Sequence, residues 1–313
     1  MLTTDPPNGC HPNLVTTQRE TCSPVSCTRK RNVVPSLLLN DPSLAEIRAF
    51  YEDNAQYEWD RLDRHRTEFA VCMRALDEYL PPPPATVLDI GGGPGRYAIA
   101  LTKRGYRVTL FDLSKTCLDL AERKADEAGV RLEGYRQGNA VDLGFYRERS
   151  FDVALLMGPL YHLQLQNDRA LAVREVHRVL KPGGRVFSAF ITRYAPFRWA
   201  ARNDPDWVPS HKELLDTGIF QKAPVPPTAG VGFTSAYFAH PSEVKPLMEA
   251  GGFETSDLIG CEGMISLIEE KINEFSGQAF EFWVDLNYKV GKDPSLHGAA
   301  EHLLYIGRRK THT

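Results

Sequence analysis

Short apolar runs alternate with amphipathic stretches from about residue 86 to residue 191. Five strands are predicted, at 86–90, 107–112, 131–137, 151–157 and 185–191. Between them, apolar residues recur three and four positions apart, which predicts helices that pack one face on a sheet. Strands that alternate with helices form a mostly parallel sheet with helices on both faces, so we predict a Rossmann-like α/β fold.

The pattern divides the chain into further segments. Residues 1–38 are rich in Pro, Thr, Ser and Asn and have no apolar period, so we expect a disordered tail. Residues 39–84 carry apolar residues at helical spacing, with a break near 54–59, and end in four prolines, which predicts an N-terminal cap of two helices. Residues 192–235 hold aromatic residues among prolines and glycines, and we expect an inserted lid there. The alternation of strands and helices fills 85–191 and resumes over 236–313.

Composition narrows the classes of function. The 313 residues carry a formal net charge of −3 and are 42% hydrophobic, which is ordinary for a globular protein and offers no basic surface for nucleic acid. No apolar run is long enough for a membrane helix, and the N-terminus lacks a secretion signal. The six cysteines lack paired metal-binding spacing, so we expect free thiols, no bound metal and a cytoplasmic protein. The oligomeric state stays open.

The most informative stretch runs from Val87 to Tyr97, where an apolar strand ends in an acid and gives way to glycines. A strand that ends in glycines before a helix leaves backbone N–H groups free to approach a ligand. Residues 93–98 also fit the relaxed pattern of dinucleotide-binding proteins, so a nicotinamide-dependent enzyme is an alternative at this point. Asp112, at the end of the second strand, is placed to accept hydrogen bonds from the ribose hydroxyls of a nicotinamide or of any other nucleoside cofactor.

Three later motifs discriminate between these classes. Gly138–Leu143 follows the third strand, Leu155–Leu163 ends the fourth, and Leu180–Gly184 precedes the fifth. Together with the glycine turn and Phe111–Ser114, they make the chain resemble the class I S-adenosylmethionine-dependent methyltransferases, most strongly over residues 45–190. The resemblance implies a seven-stranded sheet whose last strand is antiparallel. It also implies S-adenosylmethionine as methyl donor, with S-adenosylhomocysteine as its product.

On matching positions, the resemblance implies a cofactor site at the ends of the first four strands. The glycine turn would hold the methionine part, Asp112 the ribose hydroxyls, and Asn139 the adenine amine through its carbonyl, although related enzymes often carry Asp there. An N-terminal helix would lie over the cofactor, with Arg61 or Arg64 paired with its carboxylate. The implied cofactor-binding residues are Tyr51, Tyr57, Arg61, Asp89, Gly91, Gly93, Gly95, Asp112, Leu113, Asn139, Ala140 and Met157.

The sequence defines the acceptor less well. Methyl transfer needs alignment and exclusion of water rather than a covalent nucleophile. His162, just after the fourth strand, is the candidate general base for a hydroxyl or thiol, and Tyr161 is a candidate for orienting the acceptor. The lid aromatics favour a small apolar or aromatic molecule as partner, with no nucleic acid and no membrane. A protein acceptor and a non-catalytic cofactor-binding module stay open as alternatives.

Overall fold

The computed structural model describes residues 42–222 and 233–311. The disordered tail predicted at 1–38 therefore lies outside the described residues. The strands are β1 (Thr86–Ile90), β2 (Arg107–Asp112), β3 (Gly134–Gln137), β4 (Phe151–Leu156), β5 (Leu180–Ile191), β6 (Ile219–Phe220), β7 (Ala236–Tyr237), β8 (Phe253–Gly260) and β9 (His302–Arg309).

Helices occupy the N-terminal region and most connections between strands. The α-helices are α1 (Pro42–Asp53), α2 (Ala55–Arg64), α3 (Arg66–Tyr79), α4 (Arg96–Lys103), α5 (Lys115–Glu127), α6 (Pro159–His162), α7 (Gln166–Val179), α8 (Ala195–Asn203), α9 (Leu214–Thr217), α10 (Pro241–Ala250), α11 (Glu269–Asn273) and α12 (Gly277–Gly291). Short 3₁₀ segments occupy Pro205–His211, Gly263–Ile268 and Pro294–Ala299. In the described residues, no helix combines the length and apolar character that crossing a membrane requires.

The central sheet has seven strands in the order β3-β2-β1-β4-β5-β9-β8. β1 to β5 pair in parallel, whereas β9 runs antiparallel to both of its neighbours. This confirms the predicted Rossmann-like sheet and its antiparallel last strand. Because the strand order reverses between β1 and β4, the carboxyl ends of β1, β2 and β4 open onto one crevice, which is where ligands of open α/β sheets bind.

Apolar side chains cover both faces of the sheet and form two buried clusters. One cluster joins the inner sides of α3, α4, α5 and α12 to one face of the strands. The other joins α1, α7 and α10 to the opposite face. Because Leu44 and Ile47 of α1 belong to this second cluster, the N-terminal cap is anchored by the core rather than lying loosely over the crevice.

Three local predictions need correction. The cap contains three helices rather than two, since a second break falls at His65. β3 begins at Gly134 rather than near 131. The predicted turn at 181–184 lies inside β5, where the pairing with β4 shifts between Phe151 and Val153 and Gly183 adopts a φ of +75°. Glycine tolerates the positive φ of a bulge within a strand as readily as that of a turn, so the same residues are compatible with both.

The segment predicted as a lid at 192–235 contains α8, the 3₁₀ segment Pro205–His211, α9 and β6, and β6 pairs with β7 just beyond its end. Residues 223–232 of that segment lie outside the described residues. The described aromatic side chains pack on one another and on β7, and Trp207 stacks on His211 with ring centroids 3.8 Å apart. Much of the aromatic content thus forms a small core of its own.

Candidate active site

The turn after β1 has a conformation and a packing that favour glycine. Gly91 and Gly93 have φ angles of +66° and +54°, in the left-handed region that side chains disfavour. A Cβ on Gly91 would lie 2.5 Å from the ring of Pro159, and one on Gly92 would lie 2.6 Å from the Asp89 carboxylate. The backbone of the turn therefore passes so close to its neighbours that Gly91 and Gly92 leave no room for a side chain.

Asp112 holds this turn against the end of β2. Its Oδ2 accepts a hydrogen bond from the backbone N–H of Gly93 at 2.8 Å, and its Oδ1 accepts one from Ser114 at 2.8 Å. Burial raises the pKa of the carboxyl to about 6, although these two hydrogen bonds lower it in part. Each carboxylate oxygen keeps a second lone pair, so Asp112 can still accept two hydrogen bonds from a ligand.

Asp89 is a buried carboxyl with unsatisfied oxygens. It is 1% exposed, and neither of its carboxylate oxygens makes a well-formed hydrogen bond among the described residues, although the backbone N–H of Ala98 lies close enough to lower its pKa in part. Burial, and then the nearby charge of Asp112, raise the pKa of Asp89 to about 7. An unpaired buried carboxyl is costly, so this position suits a ligand that brings a cation or N–H donors.

Asn139 lies buried at the start of the segment that follows β3. Its Oδ1 accepts a hydrogen bond from the backbone N–H of Val141 at 3.2 Å, whereas its Nδ2 has no partner among the described residues. The expected acceptor atom is therefore already in use, and the amide N–H group is the free donor. A ligand ring here can accept from Nδ2 and share the second lone pair of Oδ1.

These groups line one cleft at the carboxyl edge of the sheet, with about 950 Å³ between its walls when the part open to solvent is included. The cleft brings together most of the residues that the sequence predicted: Tyr51, Arg61, Asp89, Gly91, Gly93, Asp112, Leu113, Asn139, Ala140, Met157, Tyr161 and His162. Residues separated by more than a hundred positions thus share one surface, as the sheet order requires.

Three predicted positions, Tyr57, Arg64 and Gly95, lie outside the cleft walls. Tyr57 is 43% exposed and stacks under Arg64, whose guanidinium carbon lies 4.0 Å from the ring centroid. The pair lies on the outer side of α2, because Glu58 and Arg61 occupy its inner side. Gly95 precedes α4 beneath the turn, where a Cβ would lie 3.1 Å from Ala121. Its glycine serves helix packing and a φ of +84° rather than ligand contact.

Arg61 is one of two arginines that line the cleft, the other being Arg96, and it already has acidic partners. Its Nε donates to Glu58 at 2.9 Å, and its two Nη atoms donate to the Glu68 carboxylate at 2.6 and 3.3 Å. This leaves one N–H group on each Nη atom without a partner among the described residues. Glu58 also lines the cleft, and sequence reasoning missed it.

His162 is held from both sides. Tyr51 Oη lies 2.8 Å from its Nε2, and Thr234 Oγ1 lies 3.1 Å from its Nδ1. Thr234 donates its own proton to the Ser235 carbonyl, so it accepts from Nδ1–H, and Nε2 therefore accepts from Tyr51. Burial lowers the pKa of His162 to about 3, which leaves the ring neutral, and Phe233 stacks on it at 5.8 Å.

Several other wall residues were not predicted. Leu44 and Ile47 of α1 and Leu62 of α2 make one side of the cleft apolar, and their helical spacing was the available signal. Phe111 leaves no room for a Cβ on Gly138, which would lie 2.2 Å from its ring. Thr234 reaches His162 across 72 positions, and nothing in the local sequence indicates that contact.

Known proteins of similar sequence and fold include methyltransferases. Residues 88–188 match a family model described as a methyltransferase domain. A ubiquinone biosynthesis O-methyltransferase from Pseudomonas syringae pv. tomato is 34% identical over 221 residues, which cover 69% of this chain and 85% of that protein. A protein of the same name from Pseudomonas putida is 33% identical over 251 residues, covering 79% of this chain and 95% of that protein.

The fold is also that of a solved structure. A SAM-dependent methyltransferase from Methanosarcina mazei superposes with a TM-score of 0.54 at 21% identity, over 76% of this chain and 98% of that one. At this level of identity the likeness concerns the fold alone.

Proposed function

This chain belongs to the class I S-adenosylmethionine-dependent methyltransferases, and we propose that its acceptor is a small apolar or aromatic molecule. The methyl group would go to a nucleophilic oxygen, nitrogen or sulfur of that molecule. Oxygen is favoured because the relatives described above are named O-methyltransferases. The observation that carries the proposal is the hydrogen bond between the phenol group of Tyr51 and Nε2 of the neutral His162, 2.8 Å long and inside the cleft.

The cleft fits the methyl donor on the grounds of its unsatisfied groups. Asp89, with two unpartnered oxygens, suits the ammonium of the methionine part, and the free Nδ2 of Asn139 suits a ring nitrogen of adenine. Asp112 would accept from both ribose hydroxyls, while Leu113 and Ala140 would contact the adenine ring and Met157 would lie near the donor. When bound, the cofactor supplies a methyl group on a sulfonium, which leaves as a neutral thioether.

We propose His162 as the general base and Tyr161 as a residue that orients the acceptor. The neutral ring donates its Nδ1 proton in a hydrogen bond to Thr234. Its Nε2 lone pair accepts a hydrogen bond from Tyr51 in this structure. An acceptor hydroxyl would donate to the same lone pair. As the oxygen gains its bond to the methyl carbon, its proton becomes strongly acidic, so even a base weakened by burial can take it.

The other walls would align the acceptor and exclude water. Leu44, Ile47 and Leu163 are each no more than 7% exposed and line the same cleft as His162. Apolar walls with a few polar anchors are typical of sites for small organic ligands. A polar peptide would find few hydrogen-bond partners there, which is why we place a protein acceptor second.

A binding and turnover experiment tests this proposal. Calorimetry with S-adenosylmethionine, S-adenosylhomocysteine and NAD⁺ is expected to show binding of the first two only. A panel of small phenols, aliphatic alcohols, amines, thiols and unstructured peptides is then assayed for S-adenosylhomocysteine release. Turnover confined to small aromatic hydroxyl compounds supports the proposal, whereas turnover confined to peptides contradicts it.

A further inference from the structure

A buried chain of charged side chains lies behind Arg61. Glu68, 4% exposed, binds both Nη atoms of Arg61, and its Oε2 lies 3.8 Å from Nδ1 of His302. His302 in turn bonds Glu262, which is fully buried, at 2.5 Å through Nδ1, and donates its backbone N–H to the same carboxylate. This row of charged side chains thus links the start of β9 and the segment after β8 to the N-terminal cap.

The charges within this chain neutralise one another. Burial alone would raise the pKa of Glu68, but the charges of Arg61 and His302 bring it to about 2. Burial would lower the pKa of His302, but Glu68 and Glu262 raise it to about 10. At neutral pH both groups are therefore ionised, and Glu68 has little freedom to leave Arg61 because an unpaired buried charge costs several kcal/mol.

The second acidic partner of Arg61 is bound differently. Glu58 accepts only from Nε, at 2.9 Å, and its side chain keeps 21% of its surface exposed, against 5% for Glu68. It stands beside the glycine turn, since a Cβ on Gly93 would lie 3.7 Å from its Cγ. An ion pair that is partly open to solvent contributes little and separates readily.

We propose that Glu68 is a positioning residue that fixes Arg61 for a ligand carboxylate, and that Glu58 is the exchangeable partner which that carboxylate replaces. Exchanging one carboxylate for another leaves the net charge around Arg61 unchanged. The ligand group is the amino-acid carboxylate of the methyl donor, so the inference rests on the proposed contact of Arg61 with the cofactor. It does not depend on the identity of the acceptor.

The test compares two ligands that differ in this one group. Calorimetry at pH 7.5 measures the dissociation constants of S-adenosylmethionine and of decarboxylated S-adenosylmethionine, which retains the ammonium and the sulfonium. The wild-type protein is expected to prefer the first about tenfold or more. Glu68→Gln should reduce this preference at least about fivefold, whereas Glu58→Gln should increase it. Binding of either ligand with no acceptor present keeps the test separate from the acceptor proposal.

Two matched controls and a second variant complete the design. The control for Glu68→Gln is Glu78→Gln, because Glu78 lies on the same helix but in an exposed ion pair with Lys292. The control for Glu58→Gln is Asp60→Asn, because Asp60 lies on the same helix as Glu58 and accepts a hydrogen bond from Gln56. Both should keep the wild-type preference. If Glu68→Gln does not fold, His302→Gln removes the charge that holds Glu68 and should reduce the preference in the same direction.

Three results would overturn the inference. Equal weakening of both ligands by Glu68→Gln would make its role merely structural. A preference that falls in Glu58→Gln would make Glu58 a ligand-binding group rather than a replaceable one. Glu68, Glu262 and His302 also place their ligand atoms within 4.8 Å of one another. If EDTA abolishes the preference and Zn²⁺ restores it, this cluster holds a metal ion and does not position Arg61.

Discussion

Asp112→Ala should abolish the thermal stabilisation that S-adenosylhomocysteine gives to this protein. In the wild type, the carboxylate uses one lone pair of each oxygen on the N–H groups of Gly93 and Ser114, both at 2.8 Å. The two remaining lone pairs are the expected acceptors for the two ribose hydroxyls. The assay is run at pH 8, above the pKa of about 6 to which burial raises Asp112, so that the carboxylate is ionised.

The expected magnitude follows from these two hydrogen bonds. A hydrogen bond to a charged group contributes about 1.5–3 kcal/mol, so losing both weakens binding by about 10²–10⁴-fold. With ligand at about 100 times the wild-type Kd, the wild-type protein gains about 2.7 kcal/mol, or roughly 4–5 °C in Tm for a chain of this length. At the same concentration the variant gains well under about 1 kcal/mol, and its Tm should not move measurably.

The control is Asp119→Ala, an exposed carboxylate on the helix that follows, which should keep the full shift. Without ligand, Asp112→Ala loses two backbone hydrogen bonds but also removes a buried charge, so we expect the variant to remain folded. A folded variant that still shows the wild-type shift would refute the assignment of Asp112 to the sugar.

Three further results are expected. His162→Ala should lower turnover about 10²–10⁴-fold while S-adenosylhomocysteine binding by calorimetry stays intact, and unchanged turnover would remove His162 from the reaction. Burial and a neighbouring carboxylate raise the pKa of Asp89 to about 7, so the folded chain holds more protons than the unfolded chain between about pH 4 and 7. The contribution of Asp89 to ligand-free stability should fall as the pH rises through this window, by at most about 4 kcal/mol, so the Tm of Asp89→Asn relative to that of the wild type should rise with pH. Gly92→Ala should cost about 1–3 kcal/mol in urea unfolding and weaken ligand binding, because its Cβ would lie 2.6 Å from a carboxylate oxygen. Gly134→Ala, where a Cβ meets nothing within 4 Å, should do neither.

That the glycine turn, Asp89 and Asp112 line one cleft was predictable because the signals for these residues are local. The first glycines after β1 are required sterically, because a Cβ on Gly91 would lie less than 3 Å from Pro159 and one on Gly92 less than 3 Å from Asp89. Asp112 ends the neighbouring parallel strand, so sheet geometry alone brings it to the same edge. The turn predicted at 181–184 is wrong because glycine occurs in both turns and bulges, and only the pairing with β4 distinguishes the two.

The cap was harder to predict because helical periodicity defines a face and not its orientation. Tyr57 and Glu58 are adjacent, yet a step of one residue turns the direction on a helix by about 100°. The structure turns Glu58 and Arg61 inward and leaves Tyr57 outside. Only packing of Leu62 and the α3 side chains on the sheet fixes that rotation, and this packing involves residues distant in sequence.

The acceptor side depends on contacts that no local pattern encodes. Tyr51 comes from α1, His162 from α6 and Thr234 from the segment before β7, and only together do they define which nitrogen of His162 accepts a proton. The positioning of Arg61 likewise requires Glu68 from α3 and His302 from β9. The proposed cofactor contacts come mainly from strand ends whose positions the fold determines, whereas the proposed acceptor contacts come from the N-terminal cap, the helix after β4 and the segment before β7. Substitutions in those segments can therefore change the acceptor while the sheet edge continues to bind the same methyl donor, which is why family membership identifies the donor and leaves the acceptor to experiment.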